Sequence, residues 1–389
     1  MSHQPESSRK LSSAEFNRIR ENLKYRKKAA SLQEETKRYL PLDMGLFLTA
    51  RCNLRCKHCF EWSEDGFLTN GSASCAMQEL PIEKINECLA YTKPAHTRLY
   101  LWGGEPLLYS HFSELCHQLK EDPRWTTICT NGLLIEKRLD DILPVSEQVV
   151  MLISLDGFED CNDAIRGKGT FQRVIESIRT LRRLAKEGLY KGEVSVCCVI
   201  NPDMIGRLYE FCEFMETLDI NTLYLSYPWY ISEETARQMD SVFQQRFGDL
   251  IHVEDYSCAS WHSFTFHIPM DKAQELKEDI QRITERRWNI RVRFQPAVEP
   301  DEIDDFISGG SRSAQQRTHC LVPFNRIDIL QNGDVSACKL FREFTVGNIC
   351  EQPVGDIWEG SRMEELCKRL QCGLMPVCSK CVLLYLNGE

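Results

Sequence analysis

The sequence predicts an α/β protein: a partial barrel of six parallel strands with crossover helices, followed by a small domain of a β-hairpin plus a helix. From residue 45 onward, apolar runs of strand length alternate with amphipathic segments of helix length, which is the pattern of a parallel sheet. Polar or glycine-containing loop segments follow each apolar run. Near the C-terminal end, an Asn332-Gly333 pair between two short apolar runs is a strong hairpin signal.

Each element follows from these patterns. The predicted barrel strands are Gly45–Thr49, Arg98–Trp102, Trp125–Cys129, Val149–Leu155, Glu193–Ile200 and Thr222–Ser226. The helices predicted between them include Ile82–Tyr91, Ser110–Lys120, Phe171–Lys186 and Met204–Leu218. The less regular region that follows contains two helical patterns, a strand and a linker, at Glu233–Phe247, Asp271–Arg287, Asn289–Phe294 and Asp301–Ser313.

Four segments result from this division. Residues 1–43 form an N-terminal extension with a predicted helix between Ala14 and Arg38, and residues 44–230 form the barrel. Residues 231–317 connect the barrel to the C-terminal domain and are expected to help build the substrate site. Residues 318–389 form the small C-terminal domain, in which Arg326–Leu330 and Asp334–Ala337 flank the hairpin turn.

Composition excludes several classes of protein. At 389 residues, with 42% hydrophobic and 27% charged residues, the chain resembles an ordinary globular protein of more than one core. A formal net charge of −10 argues against a general nucleic-acid binder. No apolar run is long enough to span a membrane, and no signal peptide is recognisable, so we expect no membrane partner and a cytoplasmic location. Nineteen cysteines then indicate metal ligands and buried thiols rather than disulfides.

Three cysteines, Cys52, Cys56 and Cys59, follow the first predicted strand. Thiolates this close together repel one another, so a bound metal is favoured over three free cysteines. A structural zinc site needs a fourth protein ligand, which this loop lacks. An iron–sulfur cluster held by three cysteines instead leaves one iron open for a ligand that is not protein.

This Cys-x3-Cys-x2-Cys pattern resembles the signature of the radical S-adenosylmethionine (SAM) enzymes. The resemblance covers residues 45–228 and 318–381 and implies a partial (β/α)6 radical SAM barrel. It implies that the open iron of a 4Fe-4S cluster binds SAM. One-electron reduction would then cleave SAM to methionine and a 5′-deoxyadenosyl radical that removes hydrogen from the substrate.

The same resemblance assigns cofactor-binding residues at the ends of other strands. The segment Gly103-Gly104-Glu105 matches the family's motif for the SAM amino group, and a carboxylate suits an ammonium. Ser154 and Arg166 match positions that fix the SAM carboxylate and ribose, although a purely structural role is the alternative. His58 occupies the position at which relatives place a side chain against the adenine, with a surface histidine as the alternative. Phe60 is a further cofactor-binding candidate.

The C-terminal domain contains a second set of cysteines: Cys320, Cys338, Cys378 and Cys381. Their spacing alone suits zinc or a 4Fe-4S cluster. The segments around Gly333, Gly347 and Trp358 resemble the SPASM/twitch extension, which implies a second, auxiliary 4Fe-4S cluster. Three further cysteines, at 350, 367 and 372, are predicted to be buried thiols.

An auxiliary cluster with four protein ligands implies electron acceptance, and therefore a net oxidation or a crosslink. The first interpretation is an enzyme that modifies a ribosomally made peptide. The second is a small-molecule dehydrogenase, epimerase or lyase acting on a sugar, aminocyclitol or other natural-product intermediate. A non-catalytic iron–sulfur electron carrier or zinc scaffold is the third, but it leaves Gly103–Glu105 and Arg166 unexplained. Flavodoxin or ferredoxin is the expected electron donor, and no side chain is assigned as a direct catalyst.

The exit of the sixth strand supplies the candidate substrate contacts Tyr227, Trp229 and Tyr230. Aromatic rings pack on a sugar or a peptide while the hydroxyl and indole N–H groups orient polar atoms. The alternative is that these rings seal the barrel, in which case the substrate contacts lie between Ser257 and Phe266.

Overall fold

A computed structural model describes residues 39–69 and 78–387. The helix predicted between Ala14 and Arg38 lies outside the described residues. Within the described ranges, none of the helices combines the length and apolar character needed to cross a bilayer.

One continuous sheet organises the described part of the chain. It has ten strands in the order β10-β9-β8-β1-β2-β3-β4-β5-β6-β7. All neighbouring pairs from β8 through β1 to β7 are parallel, whereas β8, β9 and β10 pair antiparallel. The strands are β1 Asp43–Phe47, β2 Arg98–Trp102, β3 Thr126–Thr130, β4 Val149–Ser154, β5 Glu193–Val199, β6 Thr222–Ser226, β7 Arg291–Gln295, β8 Arg326–Ile329, β9 Asp334–Ser336 and β10 Thr345–Asn348.

Crossover helices pack on the outer face of this sheet. The helices are α1 Ile82–Thr92, α2 Phe112–Glu121, α3 Leu139–Ile142, α4 Glu159–Arg166, α5 Thr170–Lys186, α6 Leu208–Thr217, α7 Glu233–Phe247, α8 Ala273–Glu285, α9 Ile303–Ile307, α10 Val322–Asn325, α11 Val354–Trp358, α12 Ser361–Leu370 and α13 Val382–Asn387. The predicted α/β class and all six predicted barrel strands are therefore confirmed, with ends that differ by two residues or fewer.

Strand alternation separates a dry outer core from a barrel lumen. On β5, Val194, Val196 and Cys198 are fully buried against the helices, whereas Glu193 and Cys197 line the lumen. Each apolar side chain buried in the outer core contributes about 1.5–3 kcal/mol. The lumen side is free to carry polar groups for function.

Strand pairing modifies the predicted domain boundaries at both ends of the barrel. β7 belongs to the region assigned as a connection, yet it pairs in register with β6 as a seventh parallel strand. β8 belongs to the C-terminal domain, yet it pairs with β1. The predicted linker Asp301–Ser313 contains the short helix α9 rather than open chain.

The start of α5 is held by a side chain from the preceding helix. Thr170 is the first residue of α5, and Gly169 is its N-cap. The carboxylate of Asp163 accepts hydrogen bonds from the backbone N–H groups of Gly169 at 2.5 Å and Phe171 at 2.9 Å. This contact joins α4 to α5 and positions Arg166 between them.

Candidate active site

The cysteine loop follows β1 and lies at the C-terminal end of the barrel. Cys56 is buried, and Cys52 and Cys59 are partly buried. Backbone N–H groups of Leu54 and Trp62 approach the sulfurs of Cys52 at 3.4 Å and Cys59 at 3.3 Å. N–H donors directed at sulfur stabilise thiolates, which is the form that binds iron.

The donor set fits an iron–sulfur cluster. Burial raises the pKa of Cys52 to about 12 and, with help from nearby Glu61, also raises the pKa of Cys59. Thiols in such a site lose their protons when a cation binds. In residues 39–69 and 78–387, no three His, Cys, Asp or Glu side chains converge closely enough to hold a single metal ion. A cluster does not require such convergence, because each cysteine binds a different iron.

A cavity of about 1760 Å³ opens beside the cysteine loop. It extends from the strand exits through the barrel lumen toward Arg98 and Glu193 near the opposite ends of the strands. The sequence-predicted residues that line it are Cys52, Cys56, His58, Cys59, Phe60, Gly103, Gly104, Ser154, Arg166, Tyr227 and Trp229. The fold therefore gathers most of the predicted SAM and substrate residues around one space.

The Gly103-Gly104-Glu105 turn lies against the backbone of the cysteine loop. A Cβ at Gly104 would lie 2.4 Å from the carbonyl oxygen of Arg51, and Gly103 has a φ of +140°. Side chains at these two positions would push the loop away, so glycine is required for the close approach.

Glu105 lies behind this turn instead of on the cavity surface. Its side chain is fully buried and accepts hydrogen bonds from the backbone N–H groups of Leu107 at 3.0 Å and Asn131 at 2.8 Å, and from the Thr130 hydroxyl at 2.7 Å. Burial raises the pKa of the Glu105 carboxyl, while these donors lower it. The structure thus gives Glu105 a positioning role, and its contact with the SAM ammonium stays a prediction.

Arg166 and His58 meet at a buried carboxylate that the sequence analysis did not select. One oxygen of Asp156 lies 2.6 Å from Arg166 Nε and 2.6 Å from His58 Nε2. Its other oxygen accepts a 2.9 Å hydrogen bond from the backbone N–H of Val199. Burial disfavours the charged form, but Arg166 and His58 outweigh it and hold the pKa of Asp156 well below its usual range.

This ion pair orients Arg166 toward the cluster loop. Its Nη1 lies 3.7 Å from the sulfur of Cys56, and the charge of Asp156 raises the pKa of Arg166 against the effect of burial. His58 is therefore part of a buried network and not a surface histidine. An acidic residue directly after a strand and before a glycine was the sequence signal for Asp156.

Aromatic rings form another part of the cavity wall. Phe60 stacks on Phe264 with ring centroids 4.8 Å apart and lies 5.7 Å from Trp229. Phe264 comes from the segment Ser257–Phe266 that the sequence analysis named as the alternative location. The wall thus combines both predicted segments.

Of the three predicted substrate residues, Tyr227 and Trp229 line the cavity and Tyr230 does not. Tyr227 is 1% exposed, and in the described part of the chain its hydroxyl has no hydrogen-bond partner. Tyr230 does not line the cavity and packs on His267 with centroids 4.8 Å apart. Neighbouring residues of an extended segment point in opposite directions, so Tyr230 points away from the cavity, and its contact with substrate stays a prediction.

The four C-terminal cysteines also come together. Burial raises the pKa of Cys320 and Cys338 well above the usual range, and the nearby thiols of Cys378 and Cys381 raise both further. Of the three spare cysteines, Cys367 is buried as predicted. The prediction fails for positions 350 and 372, whose cysteines are exposed.

Two family models match the chain. The radical SAM superfamily model matches residues 46–217, and the SPASM iron–sulfur cluster-binding domain model matches residues 320–382. Together these ranges span more than half of the sequence and contain every cysteine of both sets.

The chain contains a radical SAM domain and a SPASM domain.

The radical SAM domain binds SAM at a 4Fe-4S cluster, and the SPASM domain carries auxiliary iron–sulfur chemistry. Among curated relatives, pre-heme d1 synthase of Dinoroseobacter shibae is 26% identical over 80% of this chain and 72% of its own length. The antilisterial bacteriocin subtilosin biosynthesis protein AlbA of Bacillus subtilis is 22% identical over 90% of this chain and 69% of its own. The mycofactocin maturase MftC of Mycolicibacterium smegmatis is 29% identical over 44% of this chain and 41% of its own length.

Solved structures confirm the radical SAM fold over nearly the whole chain. Streptococcus suis SuiB bound to its precursor peptide SuiA has a TM-score of 0.58 at 16% identity, covering 93% of this chain and 73% of SuiB. The protein anSMEcpe with bound SAM has a TM-score of 0.56 at 18% identity, covering 90% of this chain and 89% of that protein.

Proposed function

We propose that this radical SAM enzyme abstracts hydrogen from a ribosomally made peptide and leaves it oxidised or crosslinked. The observation that carries the proposal is the shared cavity, which is lined both by the three-cysteine loop and by the aromatic wall of Phe60, Phe264 and Trp229. AlbA and MftC are named for bacteriocin biosynthesis and mycofactocin maturation, and SuiB is known bound to a precursor peptide. These names support a peptide substrate.

The residues around the cavity suit distinct tasks in this proposal. Cys52, Cys56 and Cys59 would hold the cluster, which when bound supplies the electron that cleaves SAM to methionine and a 5′-deoxyadenosyl radical. Arg166, oriented by Asp156, would pair with the SAM carboxylate. The backbone of Gly103 and Gly104 would meet the amino group, with Ser154 at the carboxylate or ribose and His58 beside the adenine.

Exclusion of water is the task of the aromatic wall. Phe60, Phe264 and Trp229 give the cavity an apolar lining, which would protect a reactive carbon radical from solvent. The C-terminal cysteines would hold the acceptor of the substrate's second electron, which makes the overall change an oxidation. The first electron would come from an external donor such as flavodoxin or ferredoxin.

A small-molecule substrate is the second candidate function. The lumen below the strand exits is continuous with the active-site cavity and reaches Arg98 and Glu193, so a compact molecule has room inside the barrel. Similarity to pre-heme d1 synthase over 80% of this chain favours the same alternative. A precursor-peptide gene beside the coding gene would favour a peptide, and genes for sugar-nucleotide or aminotransferase enzymes would favour a small molecule.

The test of SAM cleavage is the simultaneous change of Cys52, Cys56 and Cys59 to alanine. We expect the variant to lose about four iron atoms per chain and to form no 5′-deoxyadenosine with dithionite and SAM, because the SAM-binding cluster needs all three thiolates. The matched control changes three exposed cysteines, Cys258, Cys350 and Cys372, to alanine and should keep both iron and activity. Full 5′-deoxyadenosine formation by the first variant would contradict the assignment.

A further inference from the structure

Part of the cavity wall has no role in the SAM site. It lies in the barrel lumen, where β2 faces the loop after β9, and it consists of Tyr100, Trp102 and Lys339, all of which line the cavity. Lys339 follows the cysteine ligand candidate Cys338 and extends its side chain away from it into the lumen. We call Lys339 and Trp102 the lumen subsite.

Among residues 39–69 and 78–387, the ammonium of Lys339 has aromatic neighbours but no side chain that forms an ion pair with it. Its Nζ lies 3.9 Å from the centroid of the Tyr100 ring and 5.4 Å from that of Trp102. In the part of the chain that the structure describes, Nζ forms no ion pair or hydrogen bond. An ammonium that lines a cavity and pairs with no side-chain carboxylate is available to an anionic ligand.

Neighbouring carboxyl groups do not supply that counter-ion. Asp328 interacts with Lys339 through space, but both of its oxygens are held at 2.7 Å by Nε and Nη2 of Arg326. Glu61 also faces Lys339 from the cysteine loop without forming an ion pair. The pair Arg326–Asp328 is therefore self-neutralised and forms no ion pair with Lys339.

A second unpaired donor lies beside the first. Trp102 is 8% exposed, and its Nε1 is buried without a hydrogen-bond partner in the described residues. Its ring is fixed by stacking on Phe47, with centroids 4.7 Å apart. Indole N–H and ammonium groups donate hydrogen bonds and accept none, so together they call for an acceptor.

We propose that Lys339 Nζ and Trp102 Nε1 bind a carboxylate group of the substrate, an inference that rests on the proposed function. A carboxylate matches both donors, since one oxygen can accept from the ammonium and the other from the indole. Lys339 also interacts with Cys381, one of the auxiliary cysteines. A carboxylate bound here would hold the substrate in the same cavity as the cysteine loop and near Cys381.

The experiment measures carboxylate binding to the reconstituted holoenzyme with SAM present. Two probe pairs are used: benzoate against its uncharged analogue benzamide, and an end-blocked glycine peptide with a central glutamate against the same peptide with glutamine. Affinities are obtained by ligand-detected NMR in wild type, Lys339→Met, Lys339→Arg and Trp102→Phe. We expect the charged probe to bind selectively, to weaken roughly tenfold in Lys339→Met and Trp102→Phe, and to recover in Lys339→Arg.

Controls separate this proposal from the proposed function. Lys368→Met removes an exposed lysine, and Trp288→Phe removes an indole N–H that already donates to Ile283. Both should bind benzoate like wild type. Uncoupled 5′-deoxyadenosine formation and iron content are measured in every variant, so a failure of SAM chemistry is recognised independently of carboxylate binding.

The outcomes decide both the subsite and the source of the carboxylate. Selective binding of benzoate assigns a small-molecule carboxylate, and selective binding of the glutamate peptide assigns a peptide one; either supports the proposal. Binding without preference for the charged probes, or equal binding by wild type and Lys339→Met, overturns it. The proposal is also overturned if Lys339→Met loses auxiliary iron while Trp102→Phe binds benzoate as well as wild type does. That result would show that the Lys339 ammonium stabilises the auxiliary cluster instead of binding a carboxylate.

Discussion

Asp156 lies at the end of β4 with both carboxylate oxygens occupied. Arg166 and His58 approach one oxygen, and the backbone of β5 donates to the other. The side chain is fully buried, and Arg166 is only 8% exposed. Since removing one member of a buried charge pair leaves the other uncompensated, the cost is about 3–5 kcal/mol.

Asp156→Asn is therefore expected to lower the free energy of unfolding by about that amount near neutral pH. The folded-state pKa of Asp156 is depressed, so its contribution is present above the unfolded pKa of about 3.9 and is lost as the pH falls below it. Urea denaturation of the metal-free protein near neutral and near acidic pH checks this. SAM affinity should fall as well, because Arg166 loses its orientation.

Asp160→Asn is the matched control on the following helix, since Asp160 is an exposed residue that pairs with Arg207. A surface pair of this kind contributes less than about 1 kcal/mol. If Asp156→Asn and Asp160→Asn change stability equally, the buried network has no special role.

Glu105→Gln tests whether a carboxylate positions the Gly-Gly turn or meets SAM directly. The amide N–H₂ would face a backbone N–H donor, and one buried hydrogen bond lost in this way costs about 1–3 kcal/mol. We expect the variant to keep its iron, to unfold more easily and to bind SAM roughly tenfold more weakly. Calorimetry of SAM binding and thermal unfolding measure both effects.

The two roles give different patterns. Weaker SAM binding with unchanged stability would show direct contact with the ammonium rather than positioning. Exposed Glu114 on α2 provides the control, and Glu114→Gln should change neither quantity.

At the level of elements, the contact between β1 and β8 joins the barrel to the C-terminal domain. Gly45 on β1 pairs with Asp328 on β8, and a Cβ at Gly45 would lie 1.8 Å from Asp328 Oδ1 and 2.5 Å from Arg326 Nη2. The absence of a side chain on β1 thus leaves room for the buried Arg326–Asp328 ion pair.

Gly45→Ala is expected to destabilise the protein by about 1–3 kcal/mol, because the methyl group displaces this ion pair. Auxiliary iron should fall more than SAM-cluster iron, since β8 carries the hairpin of the C-terminal domain. Thermal unfolding and iron analysis measure the two effects. In Gly310→Ala, the nearest atom would be 3.6 Å away, so this control should behave like wild type. Equal stability of both variants would refute the packing argument.

For the whole molecule, the two cysteine sets should be separable in function although they share one sheet. Cys378→Ala with Cys381→Ala is expected to reduce iron from about eight to about four atoms per chain. Uncoupled 5′-deoxyadenosine formation should persist, because the cysteine loop after β1 is unchanged. The thermal midpoint should fall, because the C-terminal domain is paired to the barrel through β8.

Cys350→Ala with Cys372→Ala is the control for exposed thiols that lie outside both sets. Unchanged iron in the Cys378/Cys381 variant would show that these residues hold no cluster. Loss of all iron would instead show that the first cluster depends on the second domain.

The sequence by itself determined the chemistry and most elements of this protein. Cys52, Cys56 and Cys59 are close in the chain, so their spacing alone restricts the ligands they can bind. The predicted strands agree with the observed ones because alternating apolar patterns reflect local burial. The Asn332-Gly333 turn needs only a glycine in the left-handed region, and the φ of Gly333 is +88°. Such signals depend on a few neighbouring residues, so they can be recognised without knowledge of the fold.

Only the tertiary structure decided which distant groups meet. Pairing of β7 with β6 and of β8 with β1 places residues far apart in the chain side by side. Asp156 meets His58 across 98 positions of sequence, and Lys339 reaches Tyr100 and Trp102 across the lumen. Tyr230 turns away and Glu105 is buried for the same reason: strand register and side-chain direction depend on long-range packing, which local sequence patterns do not encode.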